Sequence, residues 1–421
     1  MILHRDHGRL RLRDVLEPAI HYADAGHPIL QRVCDEIAGL ADVFRNEWPT
    51  SAPVWLPGDK VPEAGSLFRN PELAAFWRRL LEEAEAARGR EAQIEAARKC
   101  FYEGFVTEAI DTFLRDACVL DATGERRTGV LSGEDMASWR ASTENPVSVP
   151  YRDWTVWKCG AWTQGPVLLQ ALRMLENDDI AALDPAGDAF VHLVIETLKL
   201  AFADRETYYG DPHFADIPLE TLLSSAYAKE QRSRITEQAS QEQNPGRIQG
   251  FETQVAAFLE RSSRETVSDA GVGSGEPTMA HLTDQKSDTV HIDVIDRWGN
   301  SVSATPSGGW LKSSPVIPGL GVPLNTRAQM FWLDEGLPTS LAPGRRPRTT
   351  LSPGMALGPD GTRLAFGTPG GDQQDQWQLI FLLRLLNHGM NLQEAIDAPS
   401  FHTDHFPSSF YPRQSAPGRL V

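Results

Sequence analysis

At residue 289 the chain changes its hydrophobic period, and this change restricts the fold more than any other feature. Before it, apolar residues recur at three- and four-residue spacing, from Arg13 to Tyr22 and from Leu30 to Phe44, which predicts helices. The stretch from Pro71 to Ala117 is rich in Ala, Glu, Arg and Leu, and Gly89 and Gly104 divide it into separate helices. Another helix runs from about Ala189 to Arg205, with Val194, Leu198 and Phe202 on one stripe, and the turn chemistry of Gly210, Asp211 and Pro212 stops it. From Thr289 the spacing becomes two. TVHIDVID (Thr289 to Asp296) puts Val290, Ile292 and Val294 on one face, RWGN makes a turn, and SVSATPS continues as a strand, which reads as a β-hairpin. A second hairpin runs from Thr349 to Gly367 and turns at Pro359 to Gly361. A helix follows from about Gln374 to His388, Gly389 ends it, and Asn391 with Glu394 supplies a capping box for a short last helix. Helices early and antiparallel strands late predict an α+β fold rather than a doubly wound parallel sheet.

Composition narrows the function classes. Of 421 residues, 41% are hydrophobic and 23% charged, an ordinary globular balance. No apolar run approaches the ~18 residues that cross a bilayer. The formal charge of −17 argues against nucleic acid, whose phosphates call for a basic face. The four cysteines, Cys34, Cys100, Cys118 and Cys159, form no CxxC pair and all precede residue 160, so a reducing, cytoplasmic setting is expected. The opening MILHRDHGRL lacks the apolar region of a signal peptide.

Three segments carry candidate chemistry: the hairpin opening on Thr289, the polar run PRTTLSP (Pro347 to Pro353), and TPGG (Thr368 to Gly371). A threonine hydroxyl is a poor nucleophile unless a base sits beside it. Cleavage of the chain immediately before the threonine creates that base as a new α-amine. From Ser240 to Ser287 the apolar pattern weakens, and Gly271 to Pro277 (GVGSGEP) reads either as a surface loop that can be strained and cut or as an interdomain linker. Two glycines at a strand end let backbone N–H groups approach a substrate and hold an oxyanion. Taken singly, each feature is equally a structural one: a threonine starting a strand is a β-former, and Gly-Gly after Pro is a turn.

Together and in this order, the segments resemble the gamma-glutamyltransferase family. DTVHIDVIDRWGNSVSATPS is similar to its threonine-led segment, PRTTLSP to its paired-hydroxyl segment and TPGG to its diglycine. LKLAFADRETYYGDPHFADIP (Leu198 to Pro218) and GRLRLRDVLEPAIHYADAGHPI (Gly8 to Ile29) extend the resemblance over nearly the whole chain. The resemblance implies a four-layer αββα sandwich of the N-terminal-nucleophile hydrolase type. It also implies autocleavage into a large piece, residues 1–288, mostly helical and ending in the pre-cleavage loop, and a small piece, residues 289–421, the two remaining together as a heterodimer. Thr289 falls at the nucleophile, Ser307 at the hydroxyl that assists it, and Gly370 and Gly371 at the oxyanion hole. Thr349 and Thr350 fall at the pair contacting the substrate carboxylate, and Asn325 and Gln329, within LNTRAQMF, at further substrate contacts. The expected substrates are γ-glutamyl or related acyl amides, with water or an amine as acceptor and no metal or cofactor. GRLRLRDVLEP resembles an interior part of the family, and SFYPRQSAPGRLV stops before its closing strand segment, so an incomplete sandwich is expected.

Some positions depart from the family pattern. Ser307 stands where a threonine is usual, Gly309 where an asparagine contacts substrate, and Gln329 where an aspartate holds the substrate ammonium. A neutral amide holds a cation more weakly than a carboxylate, so the pattern leans toward the glutaryl and cephalosporin acylases. Two other classes stand beside this reading. One is a metal hydrolase using His402 and His405 in FHTDHF, or His4 and His7; no acidic ligand motif accompanies them, and hydrogen-bonded histidines are expected instead. The other is an inactive remnant or binding module. His291, two residues after Thr289 and on the same strand face, is expected either to support the nucleophile or to be a structural histidine.

Overall fold

The computed structural model describes residues 1–121, 123–262, 289–411 and 413–421. The expected pre-cleavage loop, including Gly271 to Pro277 and Asp288, lies outside the described residues. The rest divides into two units, each drawing on both sides of residue 289. One takes residues 1–143 and 310–326, the other residues 144–262, 289–309 and 327–421.

The first unit is helical. Its helices are α1 (Leu12–Ala25), α2 (Gln31–Asn46), α3 (Pro71–Glu85), α4 (Arg90–Tyr102) and α5 (Phe105–Asp116). Gly89 and Gly104 cap the last two, where the sequence placed the breaks. The i, i+3/i+4 stripes of α1, α3, α4 and α5 meet in a core of Leu12, Ile20, Phe76, Leu80, Ala97 and Ile110. Residues 310–326 supply Ile317 and Leu320 to that core, and Leu311 and Val316 to a second one around Ile37, Phe44 and Trp55.

The second unit carries the sheets. Strands β1 (Val147–Tyr151) and β2 (Trp154–Lys158) form one hairpin. Helices α6 (Pro166–Leu175), α7 (Asp188–Tyr208) and α8 (Glu252–Ser262) follow. After residue 289 come β3 (Ile292–Ile295), β4 (Ser301–Ala304), β5 (Gly354–Leu357) and β6 (Arg363–Phe366), then α9 (Gln374–Leu386) and α10 (Leu392–Asp397). Both predicted hairpins form, and the capping box at Asn391 and Glu394 opens α10. The order β6-β5-β2-β1 is antiparallel throughout, with Gly354 opposite both Lys158 and Phe366. Leu168, Leu172, Val194, Phe202, Leu379 and Leu383, from α6, α7 and α9, are fully buried in one core with Val149 and Val156 of the sheet.

The strand expected to open on Thr289 begins instead at Ile292. The Val290 N–H, bonded to Pro306 O at 3.3 Å, extends the pairing back toward Thr289. The β3–β4 hairpin lies over the end of β6, where Ser303 Oγ donates to Phe366 O at 3.2 Å and Arg363 donates to Gly299 O. The α+β class is observed: among the described residues there is one sheet of four strands and four of two, of which the β3–β4 hairpin is the one in the second unit. All four residues of β3 are exposed, including Ile292 and Val294. No described helix is long and apolar enough to cross a membrane.

Candidate functional site

Thr289 enters the hairpin as a buried residue, 6% exposed, and its Oγ1 hydrogen-bonds Ser307 Oγ at 3.3 Å. The two hydroxyls singled out from the sequence, eighteen residues apart, therefore face each other across the strand pair. One step along, His291 Nδ1 meets Thr305 Oγ1 at 2.8 Å, and its Nε2 meets Asp293 Oδ2 at 2.8 Å. Gly309 ends the same segment with a positive φ of 88°.

The diglycine lies beyond β6, in the short turn that runs into α9. Gly370 (φ 118°) and Gly371 (φ 57°) both adopt left-handed backbone, and a side chain on Gly370 would run into the Trp377 ring. Glycine is required there by conformation and by space. The turn leads directly into a thirteen-residue helix, so its N–H groups stand at the positive end of the helix dipole, where an oxyanion is favoured.

Gln164 ties this turn to the paired hydroxyls. Its backbone N–H donates to Thr349 O at 2.9 Å, and its side chain donates to Gly371 O at 3.2 Å. Thr349 Oγ1 accepts from Leu351 N–H at 3.2 Å. Thr350 is fully buried, and its hydroxyl has no hydrogen-bond partner among the described residues. Gln329 sits on a short turn, Arg327–Met330, and its carbonyl accepts from Arg413 at 2.9 Å. Asn325 belongs to the other unit, so only Gln329 of that predicted pair shares the unit of Thr289.

Beneath the diglycine are charged groups that the sequence analysis did not single out. Arg205, wholly buried, donates to Gln164 Oε1 at 2.9 Å and pairs with Asp372 and with Glu206, the latter at 2.8 Å. Asp372 also accepts from the N–H and hydroxyl of Ser409, at 2.8 and 2.6 Å. Burial pushes the Glu206 carboxyl up, but Arg348, Arg205 and Arg261 outweigh it and hold the group at about 2. A second buried pair, Lys158 and Asp375 at 3.3 Å, lies by the hydroxyl segment; Ser352 donates to Asp375 at 2.7 Å, and Lys158 donates to Ser352 O and Gln378 Oε1. Burial lowers the lysine and raises the aspartate, each against the attraction of its partner. The sequence signal for these groups was position: Arg205 and Glu206 lie within the Leu198 to Pro218 segment, Asp372 follows the diglycine, and Arg348 lies inside PRTTLSP.

A cavity of about 640 Å³ opens between the Gly299–Ser303 end of the hairpin and the sheet face carrying Trp157, Met355 and Leu364. None of the catalytic or substrate-contact candidates named from the sequence lines it. In FHTDHF, His405 is buried between Glu242 O and the Gly418 N–H, and burial pushes its imidazole down to about 4. This neutral, doubly bonded ring matches the hydrogen-bonded reading for His405, whereas His402 Nε2 has no hydrogen-bond partner among the described residues.

The family model for gamma-glutamyltranspeptidase matches residues 1–417. The chain is 30% identical over 396 residues to the glutathione hydrolase-like YwrD proenzyme of Bacillus subtilis (strain 168), covering 94% of this chain and 64% of that protein. It is 30% identical over 402 residues to the acylase ACY 1 proenzyme of Pseudomonas sp. (strain SE83), covering 94% and 61%. It thus spans less than two thirds of these curated relatives. A solved structure of LmbA2991 superposes with a TM-score of 0.86 at 47% identity, covering all of this chain and 70% of that one.

Proposed function

Because this chain belongs to the gamma-glutamyltranspeptidase family, we propose that it acts as an amidase or acyltransferase whose nucleophile is Thr289, freed by autocleavage after Asp288. In this reading residues 1–288 and 289–421 form a heterodimer derived from one chain. Thr289 Oγ1 attacks the amide carbonyl, and the new α-amine takes its proton. The N–H groups of Gly370 and Gly371 hold the oxyanion, the C–N bond breaks, and the leaving amine departs with the proton. Water or an acceptor amine then attacks the threonine ester and releases the acyl group. Ser307 orients the nucleophile, and Thr349 and Thr350 contact the substrate carboxylate. The observation that carries the reading is the buried Thr289–Ser307 hydroxyl pair at the mouth of a hairpin.

Denaturing electrophoresis of the full-length protein is expected to show two bands, and Thr289→Ala one. An active wild-type enzyme that stays intact by mass spectrometry would sink the mechanism. For the acyl group, Gln329 and Gly309 remove polar partners for a donor ammonium, whose unpaired burial costs several kcal/mol. Glutaryl amides are therefore expected to be cut at least as well as γ-glutamyl amides, read as kcat/KM on the two p-nitroanilides. The acylase among the relatives favours this direction, and a strong γ-glutamyl preference would refute it.

A further inference from the structure

His291 holds an unusual place. Its side chain is 9% exposed, and both ring nitrogens are engaged, Nδ1 with Thr305 Oγ1 and Nε2 with Asp293 Oδ2, each at 2.8 Å. The Asp293 carboxylate only accepts, so Nε2 carries a proton. Two hydrogen bonds in the plane of the ring fix its orientation. The carbon edge between the nitrogens then faces Gly367 so closely that any side-chain carbon there would overlap Cε1 and Nδ1. Gly367 does not have left-handed backbone. No conformational demand calls for glycine at this position; the space taken by the imidazole does.

This contact joins the two halves of the proposed site. On one side, His291 is two residues from Thr289, and Thr305 is two residues from Ser307. On the other, Gly367 is followed after Thr368 and Pro369 by Gly370 and Gly371. We propose that His291 is a positioning residue, a spacer whose ring, seated against Gly367, sets the separation between the Thr289 hydroxyl and the diglycine donors. The proposal rests on the reading of Thr289 as nucleophile. The ring touches neither substrate nor the reacting atoms. It acts by fixing a separation, and a misplacement of about 1 Å in such a site costs roughly 10²-fold in rate.

The test is a double-variant cycle on full-length enzyme, with the processed fraction measured by electrophoresis and kcat and KM measured per processed molecule. Gly367→Ala removes no hydrogen bond and adds one methyl group against the ring. It is expected to lower kcat by about 10²-fold while KM moves less than about threefold. His291→Ala is expected to lower kcat comparably. In the double variant the added methyl enters space the ring has left, so its kcat is expected to be no lower than that of His291→Ala alone. Losses that multiply in the double variant would overturn the spacer, because two independent defects add in free energy. So would a Gly367→Ala enzyme with wild-type kcat, a result that stays readable even if His291→Ala fails to fold. A lowered melting temperature with unchanged kcat would make His291 merely structural. Activity in Thr289→Ala would instead remove the nucleophile reading itself, whichever way the cycle falls.

Discussion

The hairpin that brings in Thr289 and the turn that carries Gly370 and Gly371 are held in opposite ways. The hairpin is supported from one side: β3 is exposed along its length, and contacts to β6 and to Gly367 just after it include those of Ser303, Arg363 and His291. The diglycine turn rests on fully buried, mutually paired groups, Arg205 with Asp372 and Glu206, and Gln164 with Gly371. The difference follows from what each side is proposed to do. A nucleophile released by chain cleavage must sit on backbone that can rearrange, and such segments come from the low-stability end of a structure. Oxyanion donors act through preorganisation, so their support must not yield as charge develops.

The comparison breaks most visibly at Arg205. Arg205→Met leaves Asp372 in the interior without its ion-pair partner while Glu206 keeps Arg348 and Arg261, and removing one partner of a buried pair costs about 3–5 kcal/mol. Urea unfolding of the second unit is expected to report that loss, and a change below about 1 kcal/mol would mean the floor is not rigidly paired. Gly371→Val tests the turn above it. Turnover is expected to fall about 10²–10³-fold in processed, folded protein; wild-type turnover would remove the diglycine from the mechanism.

A smaller effect depends on pH. The folded-state carboxyl of Glu206 sits at about 2, below its ordinary value of 4.5. Its contribution is fully present above that ordinary value and is lost as pH falls through 4.5 toward about 2. Urea midpoints measured across this window should drop for wild type and drop less for Glu206→Gln; equal slopes would show that other carboxylates carry the acid sensitivity. The smallest effect is expected on the hairpin. Val294→Thr, at a residue 52% exposed, should change stability by no more than about 0.5 kcal/mol. A loss of several times that would show that the outer face of β3 is covered in the working protein, and the contrast with the floor would then shrink.

Local chemistry alone determined a good deal of this protein. The breaks at Gly89 and Gly104, both late hairpins and the box at Asn391 and Glu394 were legible because each depends on residues within a few positions of one another. The Thr289–Ser307 approach follows from the hairpin register in the same way. What the sequence did not show is which charged residues are interior. Arg205, Glu206 and Asp204 continue a helix whose stripe of Val194, Leu198 and Phe202 leaves a polar face, yet that face is buried as well. Lys158 and Asp375 are 217 positions apart and meet only because β2 pairs with β5 while α9 packs against the sheet. Residues 310–326, which follow the Thr289 hairpin, join the helical unit instead. A charged side chain carries no local sign of burial. Its cost is met by partners brought from far along the chain, and only the tertiary fold decides which partners arrive.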